Sequence, residues 1–273
     1  MKYDFSKLFD LSGRIAVVTG GAGILGSVFC KALAQYGARV AVVDLNEQPA
    51  RELAEEISGD YPGKALGIAC NVADPAAVKA MMERVTKAFG PPHILLNNAA
   101  SKSDNLEAFF APFDKYDLDE WRRVMDVNVD GMFLVAKEFL GKIAAGDSVS
   151  IIQTSSIYGI VGADQSIYEG SEYLGCRISN PAVYSASKAA VIGLTRHLAA
   201  EWGAKGVRIN ALVPGGVSSG QNQTFVEKYS ARVPMGRMAR MEEMVGAVLY
   251  LASDASSYVT GQVLVVDGGL TAW

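Results

Sequence analysis

The chain has 273 residues, half of them apolar and a fifth charged, with 25 basic against 29 acidic side chains and a formal net charge of −4. That composition supports a large packed core and excludes a disordered chain, a fibre and a disulfide-stapled scaffold. It lacks the basic excess that phosphate-driven nucleic-acid binding uses, and no apolar run approaches the roughly 18 residues of a membrane span. Residues 1–13 show no secretory apolar region, so the expectation is a soluble, cytoplasmic protein with neither nucleic acid nor membrane as partner. Cys30, Cys70 and Cys176 are too scattered for a disulfide framework, and His93 and His197 have no ligand-spaced partner, so no metal site is expected.

Short β-branched runs alternate with helical patterns along the whole chain. Arg14–Thr19 reads as a strand, Gly26–Tyr36 as a helix, Arg39–Asp44 as a strand and Pro49–Ser58 as a helix. Ala65–Cys70, His93–Asn97 and Ser148–Gln153 continue the strands, with helices expected at Ala76–Phe89 and Leu118–Gly141. Helices at Ala182–Trp202 and Met241–Leu251 flank a strand at Val207–Leu212, and Gln262–Asp267 is the last strand. Most of these strands are continuously apolar, which suits burial on both faces of a parallel sheet. Seven strands crossed by helices predict an α/β fold: a doubly wound, seven-stranded parallel sheet of the Rossmann type, flanked by helices on both faces. No linker interrupts the pattern, so residues 1–273 are expected to form one domain.

The first strand runs into Thr19-Gly-Gly-Ala-Gly-Ile-Leu-Gly26. Gly20, Gly21, Gly23 and Gly26, with Ile24 and Leu25 between them, form a phosphate cradle in the context it requires, strand before and helix after. Asp44 ends the second strand 18 residues after Gly26. A carboxylate there accepts from the adenosine ribose 2′-hydroxyl and repels a 2′-phosphate, and neither Leu45 nor Asn46 offers a cation to that phosphate. NAD is therefore expected in preference to NADP, the alternative for Asp44 being a turn or cap residue ahead of Pro49.

Tyr184 and Lys188 stand four residues apart and share one helix face. An ammonium there favours phenolate and brings a phenol of ordinary pKa about 10 towards use as an acid–base. Ser155 and Ser156 follow the fifth strand at the carboxyl edge, where open α/β sheets hold ligands. One of these hydroxyls reaches a substrate oxygen, or the pair caps a turn.

Taken in order, the glycine loop, Asn97-Asn-Ala-Ala100, Asn128-Val-Asp-Gly131, Thr154-Ser-Ser156, Tyr184-x-x-x-Lys188, Pro214-Gly215 and Gly261-Gln-Val-Leu-Val-Val-Asp-Gly-Gly269 resemble the short-chain dehydrogenase/reductase family, classical type, over essentially the whole chain. The resemblance implies Tyr184 as general acid–base, Lys188 tuning it and holding the nicotinamide ribose, and Ser156 binding the substrate oxygen. Asn128 would complete a proton relay through water. Asn98, Ala99 and Ala100 would line the adenosine side, Asn71 and Val72 would stand at the adenine, and Pro214, Gly215 and Val217 would border the nicotinamide. A homotetramer is implied as well.

Some positions depart from the family pattern. Ile24 occupies a glycine position of the classical loop, whose spacing here, Thr-Gly-x-x-Gly-x-x-Gly, is that of the extended branch. Asn71 replaces an acid and Ala100 a glycine. Ser156 and Tyr184 are 28 residues apart, about twice the family spacing, so 162–181 reads as an insertion near the substrate site.

The expected activity is NAD(P)-dependent interconversion of a secondary alcohol and a ketone on a small polar or sugar-like substrate. Alternatives are a non-catalytic dinucleotide-binding sensor or scaffold, and a sugar epimerase or dehydratase. The insertion (Asp164, Gln165, Tyr168, Glu169, Ser171, Glu172, Tyr173) and Ser218–Thr224 are expected to wall a polar pocket for a polyhydroxylated molecule, with Tyr158 and Gln221 as further substrate contacts. This stretch also resembles bacterial family members of surface-sugar and nonulosonic-acid pathways.

Overall fold

The computed structural model describes residues 4–61, 64–101, 103, 105–144 and 146–273. β1 (Ile15–Thr19) leads into α1 (Ile24–Gln35), β2 (Arg39–Asp44) into α2 (Glu47–Asp60) and β3 (Ala65–Ala69) into α3 (Pro75–Phe89). β4 (Ile94–Asn97) is followed by a short α4 (Leu106–Phe109), then α5 (Leu118–Met125) and α6 (Gly131–Leu140). After β5 (Val149–Thr154) come a small antiparallel hairpin, β6 (Glu172–Tyr173) with β7 (Cys176–Arg177), and the long α7 (Ala182–Trp202). β8 (Val207–Pro214), α8 (Gln223–Ser230), α9 (Val245–Ala252) and β9 (Val263–Val266) complete the order.

Seven strands form one sheet in the order β3-β2-β1-β4-β5-β8-β9, every pairing parallel. This is the doubly wound α/β architecture that the strand runs predict. Alternate residues serve opposite faces: Ala16 and Val18 of β1 join the core under α1, α2 and α9, while Ile15 and Val17 join the core under α3 and α6. Both faces are therefore dry, which is why the strands read as unbroken apolar runs. The chain winds outward from β1 to β3, then restarts at β4 on the other side. The carboxyl ends of β1 and β4 thus flank a topological switch point, where such sheets hold ligands.

Three local differences from the sequence reading bear on the site. The helix expected over Leu118–Gly141 is interrupted by a π-helical turn at Asp126–Asp130. The one expected over Met241–Leu251 begins as a 3₁₀ turn, Met241–Met244, before α9. α4, α8 and the β6–β7 hairpin were not expected, being too short or too polar to show a period. Among the described residues, no helix is long and apolar enough to cross a membrane.

Candidate active site

The glycine loop is packed by backbone. Gly20 has φ of 61°, and a Cβ at Gly26 would lie 2.0 Å from the Gly20 carbonyl oxygen, so only glycine lets α1 start this close to β1. Gly21 is held by its amide donating to Val43 O at 2.8 Å. Gly23 is the N-cap of α1, with no side-chain cap and no acid in the first turn, so the amides of the first helical turn stay available to an anion. Ile24 opens α1 half-exposed, which explains how a side chain is tolerated where the classical loop has glycine, and Leu25 packs on the core beneath. The residues present therefore fit a dinucleotide pyrophosphate.

Asp44 serves as the turn residue that one reading of it required. One oxygen accepts from the Ala22 amide at 3.1 Å and the other from Asn46 N at 3.4 Å, which places the carboxylate against the loop at the end of β2. Leu45 beside it is exposed. Asn71 is also exposed, and its side chain accepts from Ala73 N at 3.1 Å. Val72 is buried against Gly131, where a Cβ would approach its Cγ2 to 2.8 Å.

The switch point is bridged by two residues the sequence reading had not singled out for it. Thr19 Oγ1 donates to Asn97 Oδ1 at 3.2 Å and accepts from the amides of Asn98 and Ala99 at 3.0 and 3.1 Å. Asn97 Nδ2 donates to Met132 O at 2.8 Å, which carries the brace on to α6. Asn98 reaches Gly20 O at 3.4 Å, and Ala100 is exposed at the rim. The signal in the sequence is an Asn closing the apolar run Ile94–Leu96, and the structure buries it.

At the other end, β5 and α7 are locked together. Ser155 is buried and its hydroxyl donates to Lys188 O at 2.7 Å; a Cβ at Gly159 would lie 2.7 Å from the same carbonyl. The two serines are thereby distinguished: Ser155 fastens the helix, while Ser156 opens a 3₁₀ turn, lines a cavity and hydrogen-bonds Tyr184. Lys188 is buried, its Nζ donating to Thr154 O at 3.0 Å and lying 5.8 Å from the Tyr184 ring centroid. Burial pushes the Lys188 ammonium down to about 8. Burial also pushes the Tyr184 phenol up, opposed by its hydrogen bond with Ser156.

Asn128 lies in the π turn, fully buried. Its Oδ1 accepts from Ser101 N at 2.9 Å and its Nδ2 donates to Ser187 Oγ at 3.2 Å. The extra residue of the π turn aims this side chain at α7, one position before Lys188; single π turns of this kind often mark functional sites. Both ends of its amide are engaged, so the side chain acts as a brace between the β4 loop and α7.

Ser156 and Tyr184 face a cavity of about 300 Å³. Tyr158 and Gln221 line it, as does Gly215, whose amide is held by Val266 O at 2.9 Å. Pro214 is the buried last residue of β8, and Val217 bridges to Ala239. The Gln221 amide is spent on its own loop, Nε2 donating to Val217 O at 2.9 Å and Oε1 accepting from Ser219 N at 2.7 Å.

The expectation of a wall dense in polar insertion residues needs correcting. Only Tyr168 and Tyr173 of those named reach the cavity. Asp164 pairs with Arg232, and Glu169 lies near Lys228, whose Nζ donates to Ser166 O and Glu169 O at 3.1 and 2.8 Å. Gln165 binds the main chain of Asn180, Ser171 is buried outside the cavity, and Glu172 is exposed. A 20-residue excursion without a core of its own must satisfy its backbone, and its polar side chains go there. Ser219, Gly220 and Gln221 of the expected Ser218–Thr224 segment do line it, beside Ser179 and Asn180, and aromatic rings supply the rest of the wall, with Phe109 and Phe110 arriving from the α4 segment, which carried no sequence signal. Arg237 and Arg240 both pair with Glu243, and among the described residues no cluster of metal-ligating side chains forms.

Known proteins resemble this chain in sequence and in fold. The family model described as Enoyl-(Acyl carrier protein) reductase matches residues 21–271. The 2,5-dichloro-2,5-cyclohexadiene-1,4-diol dehydrogenase of Sphingobium indicum is 38% identical over 96% of this chain and 99% of its own. The D-threitol dehydrogenase of Mycolicibacterium smegmatis is 34% identical over 96% and 95%. A gluconate 5-dehydrogenase from Burkholderia cenocepacia, solved in complex with NADP and tartrate, superposes with a TM-score of 0.86 at 31% identity, covering 98% of each chain. The chain belongs to the short-chain dehydrogenase/reductase family, classical type, and is an NAD(P)-dependent oxidoreductase that interconverts a secondary alcohol and a ketone.

Proposed function

We propose that Tyr184 is the general acid–base of this reaction, on a small, hydroxyl-bearing substrate held in the cavity of Ser156. The observation that carries the reading is the convergence of Ser156, Tyr184 and buried Lys188 at the carboxyl edge of the sheet. In oxidation the Tyr184 phenolate accepts the carbinol proton while the Ser156 hydroxyl donates to the substrate oxygen; in reduction the phenol returns that proton to the ketone oxygen. The bound nicotinamide supplies the hydride acceptor or donor. Burial works against the phenolate, the hydrogen bond with Ser156 opposes that, and a Lys188 ammonium beside the ring favours the phenolate further. Asn128 holds the α7 turn that carries both residues and borders the proton path. The names of the diol and polyol dehydrogenases among the relatives support a hydroxyl-rich substrate.

The cofactor-binding set runs from the glycine loop through Asp44, Leu45, Asn71, Val72 and Asn98–Ala100 to Pro214, Gly215 and Val217. NAD is the preferred form, because Asp44 brings negative charge to the edge of the loop and neither Leu45 nor Asn46 after it is a cation. We read residues 1–273 as one domain, with 162–181 inserted at the substrate end, and the assembly as a homotetramer. Support for assembly comes from the incompletely buried Val263–Val266 of edge strand β9 and from fully exposed Tyr258. Tyr184→Phe tests the core of the reading: turnover falls about 10²–10⁴-fold while cofactor affinity and thermal stability stay near wild type. Near-normal turnover in that variant would sink it.

A further inference from the structure

Two walls of the cavity in front of Ser156 and Tyr184 come from distant parts of the chain. The insertion carries Tyr168, and α8 carries Phe225 and Tyr229. On its inner side α8 is tied to the cofactor end, where the Gly216 amide donates to Tyr229 Oη. On its outer side it is tied to the insertion. Lys228 and Arg232 stand four residues apart and reach opposite ends of one 3₁₀ turn, Gln165–Tyr168. Lys228 Nζ donates to the carbonyls of Ser166 and Glu169, at 3.1 and 2.8 Å, towards the end of that turn. Arg232 pairs with Asp164, whose carboxylate caps the start of it by accepting from Ser166 N at 2.9 Å. Asn222, the N-cap of α8, donates through Nδ2 to Glu172 O at 3.2 Å in the β6–β7 hairpin. Beneath these links Ile167 joins the same apolar cluster as Phe225 and Tyr229, and the Tyr168 and Phe225 rings lie 5.4 Å apart.

We propose that Lys228 and Arg232 are positioning residues: they strap the insertion to α8 and so hold these two walls at the spacing the substrate needs. Neither lines the cavity; they act through Tyr168, Phe225 and Tyr229, which do. This rests on the reading above that the cavity takes the substrate. One exposed ion pair is worth little by itself. Here the links act in parallel on a single turn, and two of the acceptors are main-chain carbonyls that the insertion must satisfy. With the strap intact the walls stand in place before substrate arrives, and binding need not order them. With it cut, a smaller fraction of molecules holds both walls together, and apparent affinity falls by that fraction. The chemical step is untouched, because β5 and α7 fix Ser156, Tyr184 and Lys188 through contacts of their own. The polar side chains of the insertion thus close the site rather than recognise the substrate.

The test compares Lys228→Met/Arg232→Met with the charge-retaining Lys228→Arg/Arg232→Lys, each loaded with NAD⁺. The first readout is amide hydrogen exchange. In the Met variant exchange over 165–173 quickens about tenfold, although no residue of that segment is changed, while β5 and α7 keep their protection. The second is steady-state kinetics at saturating NAD⁺ with the best substrate among cyclohexanol, 1,4-cyclohexanediol and D-threitol. KM rises about tenfold in the Met variant with kcat within about twofold of wild type, and the charge-retaining variant stays near wild type in both. A role in folding alone would lower melting temperature and kcat and leave KM where it was. Unchanged exchange over 165–173, an unchanged KM in the Met variant, or the same rise in KM in the charge-retaining variant would each overturn the proposal. Should the double variant not fold, Lys228→Met alone is read in the same way, with KM up about threefold. Should none of these alcohols turn over, exchange decides. The acid–base reading fails separately: it falls if Tyr184→Phe keeps its kcat, whereas the strap falls if cutting it leaves KM unchanged.

Discussion

The two halves of the site are built from different materials. Around β1 and α1 the geometry is made of backbone: a left-handed Gly20, a Gly26 with no space for a methyl, and a helix start whose amides stay free. Around β5, α7 and the insertion it is made of side chains: Ser155 fastens a helix, Lys188 is buried against Thr154 O, and aromatic rings from five separated segments close the cavity. A cofactor shared by many enzymes can be held by main-chain groups, which no side-chain change alters. A substrate peculiar to one enzyme needs surfaces that do vary.

That contrast can be broken at its backbone half by Gly26→Ala. The added methyl meets a carbonyl oxygen rather than a movable side chain, so α1 must shift. Cofactor affinity, read by quenching of protein fluorescence on NADH addition, falls about 100-fold, the scale of a displacement near 1 Å. Melting temperature falls too, in keeping with an overpacking cost of about 1–3 kcal/mol. Unchanged affinity would mean that the loop does not hold the pyrophosphate.

Asp44→Ala sharpens the comparison, because Asp44 is the side chain to which the proposed function assigns cofactor selectivity. The ratio of kcat/KM with NAD⁺ to that with NADP⁺ narrows by about tenfold, one repelled or accepted charge-assisted contact. A wild-type enzyme already faster with NADP⁺ would refute the role of Asp44.

The smallest effect belongs to the buried ammonium. The folded pKa of Lys188, about 8, lies below its unfolded value of 10.5. Between these values the unfolded chain binds a proton that the apo folded protein does not, so stability rises with pH across that window. The slope from this one group is at most about 1.4 kcal/mol per pH unit. Urea denaturation of the apo protein at pH 7.5, 9 and 10, compared with Lys188→Met, shows the slope reduced in the variant. Identical slopes would place the lysine outside the buried environment described here.

The fold was legible because continuous Val, Ile and Ala runs admit few readings once seven of them recur with helices between. The cofactor end was legible for a related reason: glycine spacing records where backbone must pass close to backbone, and Asp44 follows at the distance one βαβ unit imposes. Much of the reacting end was legible in the same way, since Tyr184 and Lys188 are joined by helical period and Ser156 by its place after β5. Illegible from the chain was what the polar insertion does. Asp164 and Gln165 look like ligands for a sugar until Arg232 and the main chain of Asn180 are seen to occupy them.

The sequence by itself therefore determined the sheet, the glycine loop at its centre and the meeting of Tyr184 and Lys188 on one helix face, because each depends on residues near in sequence or on a repeated period. Tertiary structure alone decided the character of the cavity. Phe109, Asn180, Gln221 and Phe225 meet there only because parallel strands put the loops that follow β4, β5 and β8 at one edge of the sheet. Whether a side chain faces a substrate or its own backbone is settled by which partner reaches it first, and that distance is not written in any short stretch of chain.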